Sequence, residues 1–395
     1  MYLGMMLIIF SPFLVLVPVV LLSFNYFRHH HEGDFGYRGT WSFGLLLLFV
    51  WSFFVGIINE HIMSVAASFV IFAFYIISLY VQNRFQTEKD VEELFFSAFL
   101  LSIGSAFIGV FENFHLINRD PVWWKYLFGL CTVIENEENL LRITGTFGNP
   151  NLAASWYAVM VLVGCYFAER KSGRHKLLVI IGTVFCAAVL IMTESRGALV
   201  GLFFGLFIYA FAFRNGRSRI MRVLLVLCGL VLAFTYPTWF PRGDFLPSSI
   251  DLRQAIWGNC FNMFLKKPVT GWGLMGIYFA DSNVYQYLRV LHAHNVILSL
   301  MTMLGSIGLA IFAWMEWNLL QDINFLKEKK CRLVPLLAGI HAIFIGHGLF
   351  DFTIMGQQIG ILFIACSAII GGLTHSFCMA DPKYRKRDHN KEISS

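Results

Sequence analysis

Residues 292–308 read His292-Ala-His294-Asn295-Val-Ile-Leu-Ser-Leu-Met-Thr-Met-Leu-Gly305-Ser-Ile-Gly308. Two imidazoles and an amide precede an apolar run that continues to residue 318 and is long enough to cross a bilayer. The segment before it, 241–293, is polar. Side chains at the mouth of a membrane helix meet water, where they can act as a base, a hydrogen-bond donor or a metal ligand. The segment therefore predicts a polar site at one face of a membrane protein.

The whole chain has the composition of a helical membrane protein. Hydrophobic residues make up 57% of its 395 residues and charged residues 14%, with a mean hydropathy of +0.65. A soluble domain would carry nearer to ~25% charged residues. Its long unbroken apolar runs differ from the short alternating segments of a membrane β-barrel. The eight cysteines include no CxxC pair, so neither a zinc site nor a redox motif is indicated. We expect an all-α, polytopic membrane helix bundle that forms a single integral membrane domain over residues 1–395.

The apolar runs predict eleven membrane spans, each near the ~20 residues that a bilayer core requires. They lie at about 3–24, 41–58, 62–80, 94–111, 151–167, 177–193, 198–213, 220–240, 294–318, 334–350 and 355–375.

The basic residues predict the orientation of these spans. Alternate connections and the C-terminal tail, 376–395, hold 21 of the 30 Lys and Arg residues, and such connections stay in the cytoplasm. The N-terminus and the two longest connections, 112–150 and 241–293, are therefore expected outside, and the tail inside. Cationic side chains that remain outside suggest an anionic ligand there, and ordinary solvated loop charge is the alternative, above all for Lys125, Lys266 and Lys267. The outer cations are Arg119, Lys125, Arg142, Arg196, Arg242, Arg253, Lys266, Lys267 and Arg289.

The first outer connection ends in a helix-start signal. Asn149-Pro150 places a capping amide before a proline, and nearby glycines allow the backbone to approach a neighbour closely. Asn149 and Asn151 are therefore candidates for ligand binding, and a tight capped turn is the alternative explanation. Earlier in the connection, Trp123-Trp124 predicts an interfacial helix with an aromatic anchor.

Two arginines differ from the other outer cations. Arg196 follows Glu194 in a four-residue hairpin, where a charged side chain is expensive unless it pairs or faces a polar cavity. A guanidinium suits bidentate contact with phosphate; an ion pair with Glu194 that caps two helices is the alternative. Arg253 lies in a segment whose Leu252, Ile256 and Trp257 form one amphipathic stripe. The stripe predicts a helix that forms a lid over the outer cavity, with Arg253 pointing inward.

His347 and Asp351 lie four residues apart at the outer end of the tenth predicted span. This spacing puts both side chains on one helical face, where they can touch each other or the cavity. The pair is a further candidate for substrate binding.

Five motifs occur in one order on the predicted outer face. They are Gly145-Thr-Phe-Gly-Asn-Pro-Asn151, Ser195-Arg-Gly-Ala198, Arg253-x3-Trp257, Pro268-x2-Gly271-x-Gly273 and His294-Asn295-x9-Gly305-x2-Gly308. Together they resemble the bacterial O-antigen ligase and polysaccharide polymerase superfamily over about residues 145–351, and the histidine motif is the most specific. Leu309 departs from the ligases, which usually carry threonine there, so polymerases remain open.

The resemblance implies a GT-C-like bundle of about 11 transmembrane helices with two larger extracytoplasmic loops, in the bacterial plasma (inner) membrane. It implies an inverting, metal-independent glycosyltransferase without a cofactor. The expected partners are an undecaprenyl-diphosphate-linked glycan donor, a glycan or glycolipid acceptor and membrane lipids, with no nucleic acid. Catalytic roles fall to His294 as base and to Arg196 and Arg253 on the leaving diphosphate. The substrate-binding candidates are His292, Asn295, Asn149, Asn151, His347 and Asp351.

Three other classes of protein fit the sequence less well than this superfamily. A transporter of lipid-linked sugars would show paired broken helices or intramembrane charges near the midplane, whereas the polar residues here collect at one face. A non-catalytic membrane assembly protein would not require histidine, arginines and glycine turns to converge. A peptidoglycan-type polymerase of the SEDS family shares the chemistry, but its acidic catalytic loop is not apparent in this sequence.

Overall fold

The computed structural model describes residues 2–12, 14–29, 36–117, 122–130, 142–212 and 246–380. The regular elements within these ranges are helices: α1 (Tyr2–Phe10), α2 (Leu16–His29), α3 (Thr40–Ile58), α4 (Ile62–Arg84), α5 (Glu88–Asn113), α6 (Trp123–Leu127), α7 (Pro150–Arg170), α8 (Gly173–Met192), α9 (Arg196–Ala212), α10 (Leu246–Lys266), α11 (Val296–Glu328), α12 (Val334–Gly348), a 3₁₀ turn (Thr353–Met355) and α13 (Gln357–Ala380). Seven of the described helices are long and apolar enough to cross a membrane: α3, α4, α5, α7, α8, α11 and α13. The chain is an all-α, multi-pass membrane protein, as its composition predicts.

Most predicted spans coincide with a helix. Each predicted span that lies between residues 41 and 213, or between residues 294 and 375, contains one helix. The first range, 3–24, instead holds two helices, because α1 ends at Phe10 and α2 begins at Leu16. Pro12 lies between them and has no N–H with which to continue a helix. The predicted eighth span, 220–240, lies outside the described residues.

Helix α7 lies at the centre of the bundle. It packs against α5, α8, α9, α12 and α13, and 78% of its most apolar segment is buried, compared with 28% in α8. It begins at Pro150, where the Asn149 side chain accepts hydrogen bonds from the N–H groups of Asn151 and Leu152. The predicted helix start is therefore confirmed. Because α7 is central, its first turn places Asn151 among the ends of neighbouring helices.

Helices α9 and α12 approach each other through glycine. Glycines recur every four residues along α9, at Gly197, Gly201 and Gly205. A Cβ atom added to Gly201 would lie 2.7 Å from the backbone oxygen of Ile343 and 3.0 Å from the backbone nitrogen of His347. Small residues allow such close contact between membrane helices. The contact brings the start of α9, where Arg196 lies, to the C-terminal end of α12.

Helix α11 is interrupted at Gly305, whose φ of 67° and ψ of −167° lie outside the helical region and suit glycine. The loop after α10 fills the break. Trp272 N donates to Thr302 O at 2.9 Å, and Ser306 N donates to Pro268 O at 2.8 Å. The broken turn thus keeps its backbone hydrogen bonds, as a bilayer requires. This pairing explains why the glycine motif of α11 accompanies the proline–glycine motif after α10.

Helix α10 packs along the N-terminal half of α11. The Thr302 hydroxyl donates to the backbone oxygen of Cys260 at 3.1 Å, Ile256 is fully buried, and Trp257 is half-buried. These positions match the predicted amphipathic stripe, whereas Leu252 on the same stripe stays 39% exposed. The helix carries Arg253 in its N-terminal half, and a lid function for it stays a prediction.

Candidate active site

His294 has an unusual backbone conformation immediately before α11. Its φ of 50° lies in the left-handed region, which residues other than glycine seldom adopt and which clusters at functional sites. The next residue, Asn295, caps α11 because its Oδ1 accepts from Leu298 N at 2.9 Å. Its Nδ2 donates to Leu349 O at 3.0 Å. Asn295 therefore ties the start of α11 to the end of α12 and holds the backbone from which His294 projects.

Three donors converge on the carboxylate of Asp351. His294 Nδ1 donates to Oδ1 at 2.9 Å, and Asn151 Nδ2 donates to Oδ2 at 2.6 Å. The third donor is the N–H of Phe352, 2.8 Å from Oδ1. Because a carboxylate only accepts hydrogen bonds, the neutral His294 ring carries its proton on Nδ1 and its lone pair on Nε2. The His294 side chain is 30% exposed, so it can meet a substrate.

The surroundings keep Asp351 ionised and His292 neutral. Burial raises the pKa of the Asp351 carboxyl, but the nearby His294, His292 and His347 together outweigh burial, so this pKa lies well below its usual range. Burial lowers the pKa of His292 to about 4, although Asp351 lies 3.8 Å away and acts in the opposite direction. At neutral pH the site therefore holds a carboxylate beside an uncharged His292 ring.

Asn151 joins Asp351 to a buried arginine. Arg142 is 8% exposed, and its Nη2 donates to Asn151 Oδ1 while its Nε donates to the backbone oxygen of Thr193, each at 2.9 Å. The sequence predicts Arg142 only as one of the outer cations, so its connection to the carboxylate emerges from the structure. Asn149 and Asn151 both have partners within the protein, and their contact with substrate stays a prediction.

His347 lies one helical turn before Asp351 and is 1% exposed. Its Nδ1 donates to Ser155 Oγ at 2.7 Å, and Ser155 donates onward to Thr353 Oγ1 at 3.0 Å. The predicted pair of His347 and Asp351 thus bonds to two different residues of α7 rather than to each other's side chains. Sequence reasoning missed Ser155, although it follows Asn151 by four residues and shares its helical face.

The structure relates Arg196, on α9, and Arg253, on α10, to His347. Arg196 precedes Gly197, where an added Cβ atom would lie 2.9 Å from His347 Cδ2. Arg253 lies within electrostatic range of His347. Both arginines are half-buried. The backbone beside Arg196 therefore packs on His347, and Arg253 acts on the same ring, whereas contact of either guanidinium with a diphosphate stays a prediction.

Three other described cations that are predicted to lie outside make contacts within loops. Lys267 Nζ lies 4.2 Å from the centre of the Trp272 ring, and Arg289 donates to the backbone oxygen of Ala280. Lys266 donates to a loop carbonyl as well. These contacts agree with their interpretation as ordinary loop charges. Two further outer arginines lie outside the described residues, Arg119 and Arg242.

The cluster also has to be considered as a metal site. Ligand atoms of His292, His294 and Asp351 lie within 4.8 Å of one another. However, His292 Nδ1 accepts a hydrogen bond from the His294 N–H at 3.2 Å, and the facing atoms of His294 and Asp351 are bonded to each other. A metal would have to displace these hydrogen bonds and the Nδ1 proton. The donor set therefore fits a proton-transfer network better, and independence from metal stays a prediction.

Known proteins resemble this chain in the region of the site. Residues 181–313, which contain Arg196, Arg253 and His294, match the family model described as O-antigen ligase. A Rickettsia conorii protein named "Putative polysaccharide ligase" is 24% identical over 323 residues, which are 77% of this chain and 73% of that protein. A Rickettsia felis protein, likewise named, is 24% identical over 208 residues, or 49% of each chain. The resemblance to O-antigen ligase-like membrane proteins is confirmed by these matches.

Proposed function

We propose that this O-antigen ligase-like membrane protein is a glycosyltransferase of the ligase or polysaccharide polymerase type. It moves a glycan from undecaprenyl diphosphate to an acceptor hydroxyl at the outer face of the bacterial plasma membrane. The observation that carries the proposal is the 2.9 Å hydrogen bond from His294 Nδ1 to Asp351 Oδ1. Arg253 acts on the neighbouring His347, and Arg196 precedes Gly197, which packs against the same ring. The match of residues 181–313 to the O-antigen ligase family supports the class of substrate.

His294 acts as the general base. Asp351 holds the Nδ1 proton, so Nε2 can take the proton of the acceptor hydroxyl as that oxygen attacks the anomeric carbon of the donor. Asp351 then stabilises the imidazolium that forms, as a carboxylate does for the histidine of a hydrolase triad. The proton passes to water after the product leaves. Neutral His292 borders the base without adding a competing charge.

Arg196 and Arg253 stabilise the leaving diphosphate. The bond between the acceptor oxygen and the anomeric carbon forms, while the bond from that carbon to the diphosphate oxygen breaks and the diphosphate keeps the electron pair. Two guanidinium groups offset this developing charge through paired N–H donors. Attack opposite the departing diphosphate inverts the anomeric centre. Because the arginines supply the positive charge, the proposed reaction needs no metal ion.

The site is proposed to open to the outer face, with the N-terminus outside and the C-terminus in the cytoplasm. The distribution of 21 of the 30 basic residues supports this orientation. A cysteine in place of Ser282, in the exposed loop before α11, should react with a membrane-impermeant maleimide on intact cells. A cysteine in place of Ser172, in the exposed turn between α7 and α8, should not. The reverse labelling pattern would overturn the orientation.

Transfer by purified protein in liposomes tests the activity. The donor is the undecaprenyl-diphosphate-linked glycan extracted from cells that lack the protein, and its binding is measured separately. Arg196→Ala and Arg253→Ala should weaken both donor binding and rate. Lysine at either position should restore only part of each, because a point charge cannot reproduce the guanidinium fork. Lys267→Ala, which removes a cation held over Trp272, is the matched control. Unimpaired transfer by both arginine-to-alanine variants would contradict the proposal.

Cells that lack the protein distinguish the two kinds of acceptor. Long polymer that is made but not attached to its acceptor identifies a ligase. Single repeats that accumulate on the lipid identify a polymerase, because chain growth itself has then stopped.

A further inference from the structure

A chain of hydrogen bonds links Arg142, near the start of α7, to His294, at the start of α11. We propose that Arg142 is a positioning residue that acts through Asn151 and Asp351 and sets the pH at which His294 loses its proton. The proposal rests on the proposed function, in which His294 is the base. It adds Arg142 to that site. In the hydrogen bonds described above, Arg142 is linked to His294 through Asn151 and Asp351.

Two atoms of the Arg142 guanidinium are held by different elements. Nε donates to Thr193 O, at the end of α8, and Nη2 donates to Asn151 Oδ1, in the first turn of α7; both distances are 2.9 Å. Only 8% of the residue is exposed. Burying a charge is costly unless it is compensated, and the chain of bonds leads from this cation to the Asp351 carboxylate. The geometry fixes the arginine relative to both helices.

Arg142 determines which way the Asn151 amide faces. Because arginine only donates hydrogen bonds, it selects the amide oxygen, and the amide nitrogen is left to face Asp351. That nitrogen donates to Oδ2 at 2.6 Å, so Oδ1 remains for His294. If the amide turned over, its oxygen would face the carboxylate and repel it. Arg142 thereby keeps both carboxylate oxygens supplied with donors.

The charge of Arg142 acts in the same direction as its hydrogen bonds. The positive charge of Arg142 disfavours protonation of the nearby His294 ring. The Asn151 N–H also partly neutralises the Asp351 carboxylate, which would otherwise favour the protonated, positively charged ring. Removing Arg142 removes both effects, so His294 should keep its proton up to a higher pH. The other charged or titratable groups around the site are unchanged by the substitution. His292 and His347 act on the carboxylate, Arg253 acts on His347, and Arg196 precedes Gly197, which packs against His347.

The protonation of His294 can be followed without any substrate. Diethyl pyrocarbonate modifies neutral imidazole, so the pH dependence of the His294 modification rate gives the midpoint of its titration. Peptide mass spectrometry on purified, full-length protein in nanodiscs reads each histidine separately. The 30% exposed side chain of His294 gives the reagent access. His175, exposed near the start of α8, is the internal reference.

Arg142→Gln and Asn151→Leu should each raise the pH midpoint of His294 modification, while the His175 midpoint stays constant. Arg142→Lys keeps the charge but cannot make both contacts, so its midpoint should lie between those of the wild type and Arg142→Gln. Wild-type midpoints in folded Arg142→Gln and Asn151→Leu would overturn the proposal and leave Arg142 a structural residue. Should Arg142→Gln fail to fold, Asn151→Leu decides the question, because it removes the hydrogen bonds that link Arg142 to Asp351 and keeps the charge of Arg142.

Failure of this proposal is distinguishable from failure of the proposed function. If His294→Ala is inactive but Arg142→Gln slows transfer equally at every pH, the base stands and the role of Arg142 falls. If the His294 midpoint shifts in Arg142→Gln while His294→Ala transfers normally, the coupling stands and the catalytic role falls.

Discussion

Oδ1 of Asp351 accepts a hydrogen bond of 2.9 Å from Nδ1 of His294, across 57 residues of sequence. The bond joins the loop before α11 to the turn after α12. It fixes the tautomer of His294, so the lone pair of the ring lies on Nε2. The same carboxylate accepts a hydrogen bond from Asn151 of α7. Three helices of the bundle therefore meet at one ionised group, and the proposed base depends on it.

Asp351→Asn should lower the rate of glycan transfer ~10²–10⁴-fold while donor binding persists. An asparagine amide can donate to Nδ1, which moves the ring proton to Nε2 and leaves no base for the acceptor. Transfer rates at saturating donor measure the effect. Asp281→Asn, in an exposed loop, is the matched control and should be neutral. An Asp351→Asn variant as active as the control would rule out an orienting role for the carboxylate.

His292 should make the folded protein sensitive to acid. Its pKa is about 4 in the folded state and ~6.5 in the unfolded chain, so between these values only the unfolded state binds the proton. The free energy of unfolding should therefore fall as the pH decreases through this window, by up to ~3 kcal/mol for this residue. Asp351, whose pKa is lowered, loses its stabilising contribution only below ~4, so the two windows are separate.

His292→Asn tests this linkage. Asparagine can still accept the hydrogen bond of the His294 N–H but cannot be protonated, so the dependence of stability on pH should flatten above pH ~4. Unfolding temperatures of both proteins, recorded in one detergent across this pH range, provide the comparison. Parallel curves for the variant and the wild type would show that His292 does not cause the acid sensitivity.

Gly201→Ala should impair the site through helix packing. Its Cβ atom would lie 2.7 Å from the backbone oxygen of Ile343, so α9 and α12 would have to separate, at a cost of ~1–3 kcal/mol. Arg196 would then move away from His347, and both the unfolding temperature and donor affinity should fall. In Gly104→Ala the nearest atom is a Phe10 ring carbon at 3.4 Å, so this control should be tolerated. Donor affinity equal to that of the control would contradict the packing argument.

Transfer should persist in excess EDTA. Arg196 and Arg253 are proposed to supply the positive charge at the diphosphate, and a metal at Asp351 Oδ1 or at either Nδ1 would compete with the hydrogen bonds that these atoms make. Initial rates with and without chelator, followed by addition of Mg²⁺ or Mn²⁺, measure the dependence. Activity that disappears with EDTA and returns with metal would show that the two arginines do not suffice.

The membrane helices could be predicted from the sequence because the length of an apolar run is a local property. The predicted range 41–58 and the observed Thr40–Ile58 are an example. The prediction of one continuous helix over 3–24 is wrong, because an average over twenty-odd apolar residues conceals a single helix breaker, Pro12. Likewise, α11 continues to Glu328 rather than residue 318, because polar residues extend a helix beyond its apolar part.

The candidate site was predictable only as a set of residues near one face. Span boundaries place His294 and Asp351 at the ends of their helices, but pairing between them depends on how separate helices pack. Asn151 and Asp351 are 200 residues apart, and no local pattern connects them. Counting charges places Arg142 among the outer cations and carries no information about its hydrogen-bond partners.

Transfer by His294→Ala in liposomes is the most direct test of the proposed mechanism, with donor binding measured on the same preparation. We expect the rate to fall ~10²–10⁴-fold because the general base is lost. Donor affinity should stay at the wild-type value, because Arg196 and Arg253 remain in place. His175→Ala, which removes an exposed histidine near the start of α8, should transfer at the wild-type rate. A His294→Ala protein that transfers glycan as fast as His175→Ala would contradict the assignment of His294 as the base.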